Sequence, residues 1–97
     1  MSTNKLRPSS AALQHRRLGS ELRSLRRDAG LTQTEVGTAL WLSPATVSRV
    51  ERGCVGVTPR DVQDMLRLYG VKQQRPDLLE LALEARKRQS SSRWTSL

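Results

Sequence analysis

Five residues in the run 43–53 (SPATVSRVERG) carry the groups best suited to chemistry: Pro44, Ala45, Ser48, Arg49 and Arg52. At about 100° per residue they spread over roughly 140° of a helix, with Val47 and Val50 opposite. The front of that face is small, and behind it stand one hydroxyl and two guanidiniums. Such a set donates hydrogen bonds and positive charge. No nucleophile, base and third group occur at useful spacing, so an enzyme is the least supported class. Glu51 lies in the last turn of the same helix, where a negative charge opposes the helix dipole and needs a reason to be there.

Those residues need elements to hold them, and the chain is punctuated clearly. Thr32-Gln33-Thr34-Glu35 reads as a capping box, in which hydroxyl and carboxylate satisfy orphan amides reciprocally. Ser43-Pro44 and Thr58-Pro59 each pair an N-cap residue with proline at the first helical position, where its missing donor costs nothing. Apolar residues at helical spacing predict five helices, at about 15–29, 32–39, 44–52, 59–69 and 75–89. Their inward residues are Leu18, Leu22, Leu25 and Ala29, then Val36, Ala39 and Leu40, then Val47 and Val50. Val62, Met65, Leu66 and Tyr69 follow, and last Leu78, Leu81, Ala82 and Ala85. No stretch reads as a strand, so the fold class is all-α. Residues 1–14 read as a flexible arm, 15–89 as the domain and 90–97 as a flexible tail.

Only residues 40–43 separate the second helix from the third, which forces a steep crossing, the geometry of a helix-turn-helix. The third helix is then the one that enters a DNA major groove about 12 Å wide, and a tip of Pro44 and Ala45 does not hold it away. Arg49 has the length and the fork to donate two hydrogen bonds to guanine O6 and N7, worth roughly 1–3 kcal/mol against a wrong base. Ser48 reaches a base edge or a phosphate.

Bulk composition is consistent with this. Seventeen Lys and Arg stand against nine Asp and Glu, a formal charge of +8, with 27% charged and 36% hydrophobic residues. Excess positive charge of this size points to a polyanionic partner. A single cysteine, Cys54, excludes an internal disulfide, and with the single His15 it argues against structural zinc. No cofactor is expected. No apolar run approaches the roughly 20 residues that cross a bilayer, and the start lacks the hydrophobic stretch of a secretory signal, so a cytoplasmic, nucleoid-associated location is expected.

The motifs together resemble the Cro/repressor-like (Xre-type) helix-turn-helix regulators, through Leu31-Thr32-Gln33 and through Ser43, Val47, Ser48, Arg49, Val50, Glu51 and Gly53. The resemblance covers about residues 16–70 and implies a five-helix lambda-repressor-like domain. It implies that Gln33, beside Thr34, binds a phosphate and braces the recognition helix. Base contacts would come from Ser43, Pro44, Ala45, Thr46, Ser48, Arg49 and Arg52. It also supplies a reason for Glu51, whose counterpart pairs with an arginine of helix one, here Arg26. A homodimer on a two-fold related site follows from the same family habit. A bacterial subgroup is closer still, with "SP" at the recognition-helix start, Val57-Thr58-Pro59-Arg60-Asp61-Val62, Leu68-Tyr69-Gly70-Val71 and a basic fifth helix before a larger carboxy-terminal domain. One position departs from the pattern: Trp41 stands where most members have the turn glycine. Either the turn takes another shape, or Trp41 accepts strain and covers apolar surface between helices.

The motif itself is electrically neutral, with two basic and two acidic residues over 31–57. Nonspecific attraction must come from the flanks: Lys5, Arg7, Arg16 and Arg17 on one side, Arg60, Arg86, Lys87, Arg88 and Arg93 on the other. His15 reads as a surface residue and Cys54 as a loop thiol. Leu79 and Leu83 form a second apolar row on helix five, which either packs on helix one or serves self-association or a missing domain. From another class, the rival reading is a helical adaptor binding an acidic protein through helix five. RNA binding is disfavoured by only three aromatics, Trp41, Tyr69 and Trp94.

Overall fold

A computed structural model of the 97-residue chain describes the backbone of residues 10–84 and the side chains from residue 13 onward. Helices α1 (Ser10–Asp28), α2 (Gln33–Leu40), α3 (Pro44–Glu51) and α4 (Pro59–Leu68) are followed by α5, helical over 76–84. Among the described residues there is no strand. Helix α1 starts at Ser10, so residues 10–14, expected in the arm, belong to it. The remainder of the arm, the end of helix five with Ala85, Arg86, Lys87 and Arg88, and the tail with Arg93 and Trp94 lie outside the described residues.

Helices α2, α3 and α4 each begin where a cap dictates. Thr32 Oγ1 accepts the Glu35 amide at 3.1 Å while Glu35 Oε1 accepts the Thr32 amide at 2.8 Å. Thr58 and Asp61 repeat the arrangement at 3.0 and 3.3 Å, a shorter acid closing the same box. Ser43 Oγ accepts the Thr46 amide at 3.1 Å, with Pro44 in the first turn. A cap of this kind stabilises a helix by about 1 kcal/mol, which counts for helices of eight residues that are too short to persist alone.

What holds them is one shared core. Leu18 and Leu22 from α1 meet Val36 from α2, Val47 and Val50 from α3, Val62, Met65 and Leu66 from α4, Tyr69, and Leu78 and Ala82 from α5. Each large apolar side chain buried there contributes about 1.5–3 kcal/mol. Helix α3 packs on both α1 and α2, and α4 on α2 and α1. Two expected core residues are not in it. Ala39 and Ala29 are exposed, since their positions lie at the margin of the apolar stripe, where a methyl group is too short to reach the interior.

Backbone approaches set the angles. A Cβ on Gly19 would lie 2.4 Å from the Val50 carbonyl oxygen, so α1 crosses the last turn of α3 with no room for a side chain. A Cβ on Gly37 would lie 2.3 Å from the Leu42 carbonyl oxygen, so the turn folds back against the last turn of α2. The Leu42 amide donates to the Gly37 carbonyl at 2.8 Å and closes that turn. Helices α1, α3 and α4 are followed by glycines with positive φ, Gly30, Gly53 and Gly70, whereas α2 closes on Trp41 at φ 63°. Trp41 thus adopts the left-handed conformation that glycine takes at no cost. Its indole is 94% exposed, so it does not cover the surface between the helices.

Candidate nucleic-acid interface

Helix α3 separates its two sides cleanly. Val47, Val50 and Glu51 are buried, while Pro44, Ala45, Arg49 and Arg52 are exposed and Ser48 is half-buried. No side chain of the described residues packs over the small tip or hydrogen-bonds the Arg49 and Arg52 guanidiniums. Ser43 and Thr46 are partly spoken for: their hydroxyls lie 2.9 Å apart, and Ser43 Oγ also caps the helix.

Behind this face is a buried polar knot. Arg26 Nε donates to Glu51 Oε2 at 2.7 Å and Arg26 Nη2 to Glu51 Oε1 at 3.1 Å, a two-pronged pair whose side chains are 10% and 3% exposed. Arg26 Nη1 donates to the Leu31 carbonyl at 2.8 Å, and Gln33 Nε2 to Glu51 Oε1 at 3.0 Å. One guanidinium therefore fastens α1 to the α1–α2 connection and to α3, and the Glu51 carboxylate ties in the first residue of α2. The hydrogen bond to Glu51 holds the Arg26 guanidinium above its usual range. Tyr69 lies close enough to feel both charges. Burial pushes its hydroxyl up to about 12, the Glu51 charge adds to this, and Arg26 partly opposes it. Its Oη is buried without a hydrogen-bond partner among the described residues, a defect that costs about 1–3 kcal/mol.

The structure separates the remaining candidates. Thr34 is exposed beside half-buried Gln33 at the amino end of α2, and Arg60 is exposed in the first turn of α4. Arg16 and Arg17 are exposed on α1, but they line an open groove of about 610 Å³ with Glu21, Glu80 and Glu84, in a mixed-charge setting. At one end of that groove Arg75 grips Asp77 through Nε (3.1 Å) and Nη2 (3.0 Å) and reaches Glu21 at 3.2 Å, tying the start of α5 to α1. Arg75 holds the Asp77 carboxyl below the ordinary carboxylate range. This clamp is invisible to a reading of local spacing, because Glu21 lies far from Arg75 in the chain.

Leu79 is half-buried against the core, and Leu83 is 44% exposed. Cys54 is exposed. His15 corrects the expectation of a surface residue: only 8% is exposed, because α1 begins earlier than expected and places it a full turn inside the helix, where burial lowers its pKa. Among the described residues no helix is long and apolar enough to cross a membrane.

A protein-family model described as a helix-turn-helix domain matches residues 17–81, a span that runs from α1 into α5 and contains the whole polar knot and the open face of α3. No curated protein and no solved structure matches the chain.

Proposed function

Because the chain belongs to the helix-turn-helix domain family, whose members bind DNA, we propose that it reads the sequence of double-stranded DNA through α3 and regulates transcription. The observation that carries this reading is the open side of α3: Pro44, Ala45, Arg49 and Arg52 exposed together, on a helix whose other side is fixed by Val47, Val50 and the Arg26–Glu51 pair. A reading helix has to be bare on one side and rigid on the other, since side chains held in place donate to base edges at a smaller loss of freedom.

In this reading Ala45 sits at the tip within the groove, Arg49 donates to guanine, and Arg52, Ser48, Ser43, Pro44 and Thr46 fill the rest of the contact. Gln33, Thr34 and Arg60 approach phosphates from the starts of α2 and α4, where helix dipoles favour an anion. Arg16 and Arg17 add diffuse attraction. Two copies bind a two-fold related site with half-sites about 34 Å apart, one helical turn. The family resemblance favours an Xre-type regulator.

Selection of bound duplexes from a random pool tests this. Enrichment of one motif with internal two-fold symmetry is the expected result. Salt-sensitive binding with no enriched motif would leave a DNA binder without sequence preference and end the reading.

A further inference from the structure

The surface between the turn and α4 plays no part in the reading above. There Leu40, Trp41 and Leu42 face Asp61, Asp64 and Met65 across an open groove of about 380 Å³. Trp41 stands at its rim, 94% exposed and at φ 63°. An indole in that state contributes little packing to the fold, and glycine would close the same turn without the steric conflict of a side chain at positive φ. Its large apolar faces find partners only outside the molecule, and tryptophan is the side chain that most often anchors a protein interface.

The charge of the groove selects the partner. Asp61 and Asp64 line it against the single cation of Arg67, in a chain whose formal charge is +8. Asp61 is drawn toward the Thr58 amide, while Asp64 forms no ion pair among the described residues. Two carboxylates beside an exposed indole repel phosphate and attract a cation, and a cation over an indole face is the most favourable of the cation–aromatic pairings.

We propose that this groove docks a protein segment in which an arginine or lysine stands next to an apolar residue. The cation lies over the Trp41 ring toward Asp64, and the apolar neighbour rests on Leu40 and Leu42. Such a partner is recruited on a surface separate from the open side of α3.

The test is a selection of random dodecapeptides displayed on phage against the full chain, followed by affinity measurements on the enriched peptides. Basic–apolar peptides should be enriched, and their affinity should fall at least about tenfold with Trp41→Gly, the usual scale for loss of an aromatic anchor, and measurably with Asp64→Asn. Trp41→Asn, which tolerates the same backbone, should behave like the glycine variant. All three should keep the helical circular dichroism and the duplex-DNA affinity of the parent. The proposal is overturned by an absence of enriched peptides, by enrichment of acidic or purely apolar ones, or by binding indifferent to Trp41→Gly. A folded Trp41→Gly variant with weakened DNA binding would assign the indole to nucleic acid and overturn it equally.

Discussion

Gln33 Nε2 lies 3.0 Å from Glu51 Oε1, joining the first residue of α2 to the last residue of α3. A carboxylate only accepts, so the amide nitrogen of Gln33 must face it, and one of its two N–H groups is committed to the interior. Any phosphate bound at the start of α2 has the other N–H and the backbone amides of Gln33 and Thr34, since the Glu35 amide is taken by Thr32 Oγ1. Gln33 therefore braces the two helices against each other, whatever else it touches, and the negative charge that opposes the α3 dipole is offset by three donated hydrogen bonds, two from Arg26 and one from Gln33.

Removing that carboxylate should be costly. Glu51→Ala strands the Arg26 guanidinium in a nearly closed site, at about 3–4 kcal/mol, and Arg26→Ala should cost a similar amount. The double variant should lose less than the sum by about 1–3 kcal/mol, because the second removal relieves the charge stranded by the first. Gln33→Ala should cost about 1 kcal/mol. Urea denaturation followed by circular dichroism measures all four. An unaltered midpoint for Glu51→Ala would refute the strut.

Gly37→Ala tests the turn. Its Cβ would press on the Leu42 carbonyl oxygen from 2.3 Å, and backbone cannot swing aside as a side-chain tip can. The expected cost is about 2–3 kcal/mol. The strain falls where α2 hands over to α3, so DNA affinity of the folded protein should drop as well. Gly30→Ala is the control: with nothing within 4 Å it suffers only its positive φ, at about 1 kcal/mol, and should bind DNA normally.

The caps and the apolar periodicity made the five helices legible, because Thr32, Ser43 and Thr58 each act on residues three positions away and leave their mark locally. The open side of α3 was legible for the same reason: the face of one short helix follows from its own spacing. Relations between distant segments were not. Gly19 is a small residue in an unremarkable stretch until α3 is seen to cross it, and Arg75 shows no link to Glu21 in sequence. The burial of His15 leaves no local sign, because no cap marks the start of α1 at Ser10. The pairing of Arg26 with Glu51 came only from the family resemblance, since spacing along the chain does not say which of several arginines meets the acid.

His15 should make the fold sensitive to mild acid. Burial lowers its folded pKa below the ordinary 6.5, so the unfolded chain binds the proton more readily than the native state. Stability is then full above the unfolded value and declines as pH falls through 6.5 toward the lower folded value. Asp77, held low by Arg75, acts in a separate window: its contribution is present above the unfolded value of 3.8 and is lost below it. Melting temperature recorded between about pH 7 and 5 should decline for the parent and stay flat for His15→Leu. Equal slopes would assign the decline to other groups.

Trp41→Gly should stabilise the protein. The left-handed backbone costs a non-glycine residue about 1–2 kcal/mol, and glycine gives back about 0.5–1 kcal/mol through greater freedom of the unfolded chain. A net gain of about 0.5–1 kcal/mol remains, seen as a rise of a few degrees in melting temperature. With the indole 94% exposed there is little packing to lose. A lower melting temperature would mean that the ring stabilises the fold through contacts at its base.

Arg49 and Arg60 should fail in different ways. Both are exposed, but Arg49 projects from the last turn of α3 on the side that carries Pro44 and Ala45, whereas Arg60 stands in the first turn of α4. A guanidinium that forks onto one base discriminates; one that meets a phosphate only attracts. Arg49→Ala should therefore relax preference at a single position of the selected site by about 1–3 kcal/mol and leave the salt dependence nearly unchanged. Arg60→Ala should weaken every duplex alike and reduce the slope of log affinity against log salt by about one. Titration of the selected site, its single-base variants and an unrelated duplex at several salt concentrations separates the two effects. Loss of discrimination in Arg60→Ala, or uniform loss in Arg49→Ala, would reverse the roles assigned to α3 and α4.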